Sequence, residues 1–203
     1  MRLYYHYCAS NFSNSYILGT DSSPNEAIII DPGTMDLGLL NLIENNNFQL
    51  KAILITHDHI SHISGLRTIL KIYDAKIYAV ASEIRGYDTI RVRDGDTINI
   101  GSFKIEVFSV PGHSSDSVVY KIDRLLFTGD TLRAGLIGST ISSFSKATLV
   151  NSLRKKILSL PGDYTILPGH GPPSCLEAER HFNLDLNSFE QLKGRRPAFK
   201  IDL

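Results

Sequence analysis

Thr56-His57-Asp58-His59-Ile60-Ser61-His62-Ile63-Ser64-Gly65 decides how this chain is read. Its Thr56 ends a short apolar, β-branched run, residues 52–56, that reads as a buried strand. In an extended segment successive side chains alternate, so His57 and His59 project to one side while Asp58 points to the other. Two imidazoles on one side suit an ion held at about 2.0–2.1 Å. His62 follows on the turn leading into the next helix, within reach of a neighbouring ion. Imidazole and carboxylate donors suit zinc, iron or manganese better than calcium or magnesium.

The same arrangement recurs outward along the chain. Residues 27–30 lead to Asp31, and residues 103–110 lead through Pro111-Gly112 to His113. Residues 125–128 lead through Gly129 to Asp130, and residues 164–167 through Pro168-Gly169 to His170. Ligand sites of α/β proteins gather at the carboxyl ends of strands, where loops aim side chains inward. Five such strand ends predict one convergent metal centre. A lone His-x-His or Gly-His is ordinary turn chemistry, but five of the seven histidines fall in these motifs. His6 and His181 belong to none and read as packing or surface residues.

Further strands are expected at 15–18, 76–80, 97–100 and 117–122, and helices at 36–45, 66–73, 146–158 and 177–189. Ser145 stands as N-cap of the third helix and Pro161 just beyond its end. Asp94-Gly95-Asp96 and Ile100-Gly101-Ser102 mark tight turns, so 97–122 reads as antiparallel. Strands of both kinds mixed with crossover helices give an α/β fold.

The 203 residues, 42% hydrophobic and 21% charged, fit a single domain over 1–203. Lys plus Arg and Asp plus Glu number 21 each, so no global field steers the chain toward nucleic acid or an anionic membrane. A small-molecule substrate is the expected partner, and oligomeric state is left open. Cys8 and Cys175 form no CxxC pair, which fits a reducing compartment. The N-terminus lacks the apolar stretch of a signal peptide, and no apolar run approaches the roughly 18 residues of a membrane span. A cytoplasmic location is expected. The basic tail, residues 192–203, reads as a solvated end.

THDHISH (56–62), VPGH (110–113), FTGD (127–130) and LPGH (167–170) stand in a familiar order. They match the Thr-His-x-His-x-Asp-His, Pro-Gly-His, Gly-Asp and Gly-His segments of the metallo-β-lactamase superfamily. The chain resembles that superfamily from about residue 15 to about residue 186. LLFTGDTL and ILPGHGPPS look most similar to its glyoxalase II-like branch, the compact bacterial proteins related to hydroxyacylglutathione hydrolase. The resemblance implies an αββα sandwich, two mixed sheets flanked by helices. It implies a first metal ion on His57, His59 and His113, with Asp130 bridging and His62 and His170 on a second ion. Zinc is the implied metal, with iron or manganese as alternatives. Asp31 matches an early aspartate that orients a ligand, although it reads nearly as well as a plain Asp-Pro-Gly turn.

The chain departs from that pattern at Ser61, which stands where the superfamily carries an aspartate. A neutral hydroxyl is a poor ligand and a poor base, so one ion is expected, the second being weak or absent. Three imidazoles with an open fourth position already lower the pKa of bound water to about 7. The leading expectation is therefore hydrolysis of a small ester or thioester by metal-bound hydroxide, with Asp130 and Ser61 at the reacting site. Only 33 residues follow His170, fewer than the helical domain with which glyoxalase II enzymes grip glutathione. Ser139, after Leu136-Ile137-Gly138, replaces the arginine common in that branch. Two other readings stay open. One is a mononuclear iron persulfide dioxygenase-like oxidoreductase using His57 or His59 with His113 and Asp130. The other is a non-catalytic metal-binding protein on the same scaffold.

Ser61→Asp adds a carboxylate oxygen to the second site. It should raise second-ion occupancy in a metal titration followed by native mass spectrometry. A wild type that already binds two ions as tightly as the variant would contradict the one-ion expectation.

Overall fold

The computed structural model describes residues 1–21 and 23–187. Its first sheet runs in chain order: β1 (Arg2–Cys8), β2 (Ser13–Gly19), β3 (Glu26–Ile30), β4 (Gln49–Leu54), β5 (Lys76–Ala79) and β6 (Ile90–Arg91). The first three strands pair antiparallel, and β3 through β6 pair parallel. The second sheet holds β7 (Thr97–Ile100), β8 (Phe103–Ser109), β9 (Val118–Ile122), β10 (Leu125–Gly129), β11 (Thr165–Pro168) and β12 (Ser174–Cys175). There the β10–β11 pair is parallel and the others antiparallel. The helices are α1 (Leu37–Asn45), α2 (Ile60–Ile63), α3 (Leu66–Ile72), α4 (Ser143–Ser152) and α5 (Leu176–Phe182), with a π-helical turn, Leu153–Ile157, continuing α4. Two small antiparallel pairs, Glu83–Ile84 with Tyr87–Asp88 and Leu132–Arg133 with Leu136–Ile137, complete the described elements.

The strand periodicity explains the layers. Along β3, Ile28 and Ile30 face the second sheet and pack with Tyr120, Phe127 and Leu167. Ala27 and Ile29 face the other way, against Leu39 and Ile43 of α1 and Ile69 of α3. Both faces of the strand are buried, which is why its sequence is continuously apolar. On the outer face of the second sheet, Val119 and Leu126 pack with Leu149 of α4, Leu153 and Leu176 of α5. The result is the expected αββα order, with two mixed sheets flanked by helices. Among the described residues no helix is long and apolar enough to cross a membrane.

Several boundaries move. Ser142, not Ser145, caps α4, its hydroxyl accepting from the Ser145 N–H, so the helix starts at Ser143. The expected helix 177–189 stops at Phe182. Asn183 turns the chain there: its Oδ1 accepts from the Asp185 and Leu186 N–H groups and its Nδ2 donates to Glu179. The N-terminal strand β1 escaped the sequence reading. It alternates half-buried and exposed side chains at the sheet edge, so it lacks the apolar run of an interior strand. The basic tail 192–203 and the end of the expected last helix lie outside the described residues.

Candidate metal centre

The two sheets bring the five strand ends to one edge, and Asp31 is the first link between them. It follows β3 with φ 49°, and the Gly33 N–H donates to its carbonyl at 2.8 Å, so the Asp-Pro-Gly turn is real. Its carboxylate also binds elsewhere. The Thr56 N–H donates to Oδ1 at 2.7 Å, the Thr56 hydroxyl to Oδ2 at 2.6 Å, and His62 Nδ1 lies 3.0 Å from Oδ2. Asp31 is thus both a turn residue and an orienting one.

These bonds set the tautomers. With the Thr56 hydroxyl proton on Asp31, its oxygen accepts from His57 Nδ1 at 3.1 Å. His62 Nδ1 donates to Asp31, and His113 Nδ1 donates to the Ser139 carbonyl at 2.8 Å. A histidine that donates through one ring nitrogen presents the other as a lone pair. His57, His62 and His113 therefore all offer Nε2.

Those lone pairs converge. His57 Nε2 lies 3.0 Å and His113 Nε2 3.1 Å from His59 Nδ1. Donor atoms of His57, His59 and His113 form one group within 4.8 Å of one another, and those of His57, His62 and Asp130 form a second, sharing His57. His62 Nε2 is buried without a hydrogen-bond partner, and the nearest Asp130 oxygen is 3.6 Å away, too far for a hydrogen bond. An orphaned buried nitrogen is costly. A cation facing it and Asp130 would resolve both, so the residues present fit a metal ion.

The electrostatics agree for His57 and His113, whereas at His62 a proton competes with an ion for Nε2. Burial, followed by the charge of His62, pushes His57 down to about 2, so it stays neutral as a ligand must. Burial also lowers His113. Burial works against a charged His62, but Asp31 and then Asp130 outweigh it and raise the group to about 9. Burial would raise Asp130, yet the hydrogen bond from His170 and the charge of His62 hold it well below the carboxylate range.

His170 reaches the centre differently. It stands outside both donor groups, bonds Asp130 Oδ1 through Nδ1 at 2.7 Å, and places its ring 5.2 Å from that of His62. Asp58 is exposed and faces away, as the alternation required, its N–H donating to Asp116. Ser61 is half-buried on α2, and its carbonyl accepts from the Ser13 hydroxyl. His6 pairs with Asp36 and His181 with Glu177, both away from the cluster. Gly129 has φ +49°, and a Cβ there would strike Thr56 Oγ1, so the Gly before Asp130 lets the two sheets meet. The sequence reading passed over Thr56 as a hydrogen-bonding residue and the Ser139 carbonyl. Thr56 was legible as a hydroxyl beside the first ligand; a backbone carbonyl leaves no signal in sequence.

Comparison with known proteins follows the same lines. The metallo-β-lactamase superfamily profile matches residues 10–89 and 81–170. A hydroxyacylglutathione hydrolase from Francisella tularensis is 41% identical over 150 residues, 72% of this chain and 59% of the relative. The chain thus spans less than two thirds of the length of the curated relatives it matches. The crystal structure of BLEG-1, described as a B3 metallo-β-lactamase, matches with a TM-score of 0.80 and 26% identity, covering 92% of this chain and 100% of that one. ETHE1 from Myxococcus xanthus shares the fold, with a TM-score of 0.81 and 23% identity over 90% of this chain and 83% of its own.

His57 belongs to both donor groups, so His57→Ala should abolish bound metal while circular dichroism stays close to wild type. Native mass spectrometry of the variant reads the outcome directly. Full metal content would remove His57 from the ligand set.

Proposed function

Because this chain belongs to the metallo-β-lactamase superfamily, we propose that it is a metal-dependent hydrolase of a small ester or thioester, with glyoxalase II-like chemistry. The observation that carries the reading is the convergence of imidazole nitrogens from His57, His59 and His113 beside an ionised Asp130. The similarity to hydroxyacylglutathione hydrolases supports a thioester over other acyl substrates.

In this proposal His57, His59 and His113 hold the first ion, zinc by preference. Asp130 faces both donor groups, and His62 with His170 makes a weaker second site. The ion, when bound, polarises the substrate carbonyl and lowers the pKa of water to about 7. The protein supplies the rest. Asp31, Thr56 and the Ser139 carbonyl fix the ring orientations before substrate arrives, so no reorganisation is needed during reaction. Asp130 accepts a hydrogen bond from the attacking water and aligns it. Ser61, on the same short helix as His62, offers a hydroxyl in place of a second carboxylate. Attack by water on the acyl carbon breaks the acyl–sulfur or acyl–oxygen bond, and the proton leaves with the thiol or alcohol. A cavity of about 260 Å³ beside His113, lined by Pro111, Ser114, Ile141, Phe144 and Thr148, suits a small acyl group.

A chelator should reduce hydrolysis of short acyl thioesters to background, and zinc should restore it. Persulfide oxidation supported by iron, with no thioester turnover under zinc, would overturn the proposal. Zinc binding without turnover on any ester or thioester would favour a binding protein instead.

A further inference from the structure

Ser13-Asn14-Ser15-Tyr16 puts four consecutive polar side chains into a strand that continues as Ile17-Leu18, and all four are buried, none more than 2% exposed. Burying polar groups is unfavourable unless each finds a partner. Besides Tyr5 on Asn14 and Cys8 on Ser15, the partners of these side chains are backbone groups near the metal centre. The Ser13 hydroxyl donates to the Ser61 carbonyl at 2.6 Å. The Ser15 hydroxyl donates to the Asp31 carbonyl at 2.6 Å and accepts from the Gly33 N–H at 3.1 Å. Asn14 Nδ2 donates to the Pro168 carbonyl at 2.9 Å and the Gly171 carbonyl at 2.7 Å, and Tyr16 donates to the Pro168 carbonyl at 2.8 Å. The Asn14 N–H adds a bond to the Gly169 carbonyl at 2.7 Å. The Tyr5 hydroxyl donates to Asn14 Oδ1 at 2.9 Å, which fixes the amide with its NH₂ toward those carbonyls.

The pattern follows strand geometry. Alternate side chains leave opposite faces, so Ser13 and Ser15 serve the loop of Asp31 and the turn of His62, while Asn14 and Tyr16 serve the loop of His170. His62 is carried by α2, which follows β4 of the first sheet, and His170 follows β11 of the second. β2 holds both. His57, His59 and His113 make no hydrogen bond to it in the described structure.

We propose that Ser13-Asn14-Ser15-Tyr16 is a set of positioning residues that fixes His62 and His170 relative to one another, with Asn14 at its centre, and so governs affinity for the second ion but not the first. The inference rests on the metal-centre reading given above. Carbonyls flanking His170 on both sides are held by one amide, so its removal releases the Gly171 carbonyl and leaves Pro168 to Tyr16 alone, loosening the loop while the first donor group keeps its own bonds.

The test is cobalt(II) titration of the metal-free full chain, followed by visible absorption and native mass spectrometry, for wild type, Asn14→Ala and Tyr16→Phe. Losses beyond the ligand shell typically weaken metal binding by about 10–100-fold. Asn14→Ala should weaken the second ion by that range and leave the first at wild-type affinity. Tyr16→Phe, which keeps the ring packing, should show the same selectivity at smaller size and remains informative if Asn14→Ala does not fold. Equal weakening of both ions would mark a merely structural role and overturn the proposal. So would unchanged binding of both, or a wild type that takes one ion only up to millimolar cobalt. A wild type that binds no ion would instead bring down the metal-centre reading itself.

Discussion

The Asp31 carboxylate is the constraint on which the rest of the centre depends. It is buried, at 2% exposure, and it takes three hydrogen bonds from two different segments, Thr56 and His62. Hydrogen bonds to a charged group are worth about 1.5–3 kcal/mol each, and a buried partner left unmade is worse. Those bonds join the end of β3 to the segment after β4 and to α2 in one arrangement. They also settle which nitrogen each ring presents, directly for His62 and through the Thr56 hydroxyl for His57. The direction of two candidate ligands is therefore decided one layer away from any ion.

From that constraint the electrostatics follow. Neutral imidazoles gather around His59, two carboxylates flank His62, and the orphaned His62 Nε2 faces Asp130. A proton on His62 and a metal ion beside it are alternative ways to balance the same negative charge. Metal binding is expected to compete with that proton, the usual coupling between ligation and pKa. The two sheets give this arrangement its rigidity. The loops of Asp31, His57, Asp130 and His170 leave strands mostly buried on both faces, and that of His113 leaves a strand with one buried face, so the side chains are set by the packed core and little by the loops themselves.

Much of this was legible in the sequence, for a physical reason. Strands covered on both faces must be apolar throughout, so residues 27–30 and 52–55 announce themselves, and a polar residue directly after such a run stands out. The ends marked by Asp31, His57, His113, Asp130 and His170 all lie at one edge of the sandwich. What the sequence hid has reasons too. β1 exposes every second side chain and carries no apolar run. Ser142 and Ser145 are equally good caps by type, and only the backbone decides between them. The expected strand 15–18 begins two residues earlier, at Ser13, and the partners of Asn14 and Tyr16, more than 150 residues away at Pro168, leave no signal in the sequence. His170 was expected among the donors by resemblance, and in the structure its Nδ1 bonds Asp130.

The central claim is that these strand ends converge to hold a metal ion. Elemental analysis of the protein purified without added metal tests it most directly. The account predicts about one equivalent of a divalent first-row metal, zinc foremost, that a chelator removes and added zinc restores. Protein that arrives without metal, and takes up none from excess zinc while folded, would contradict it.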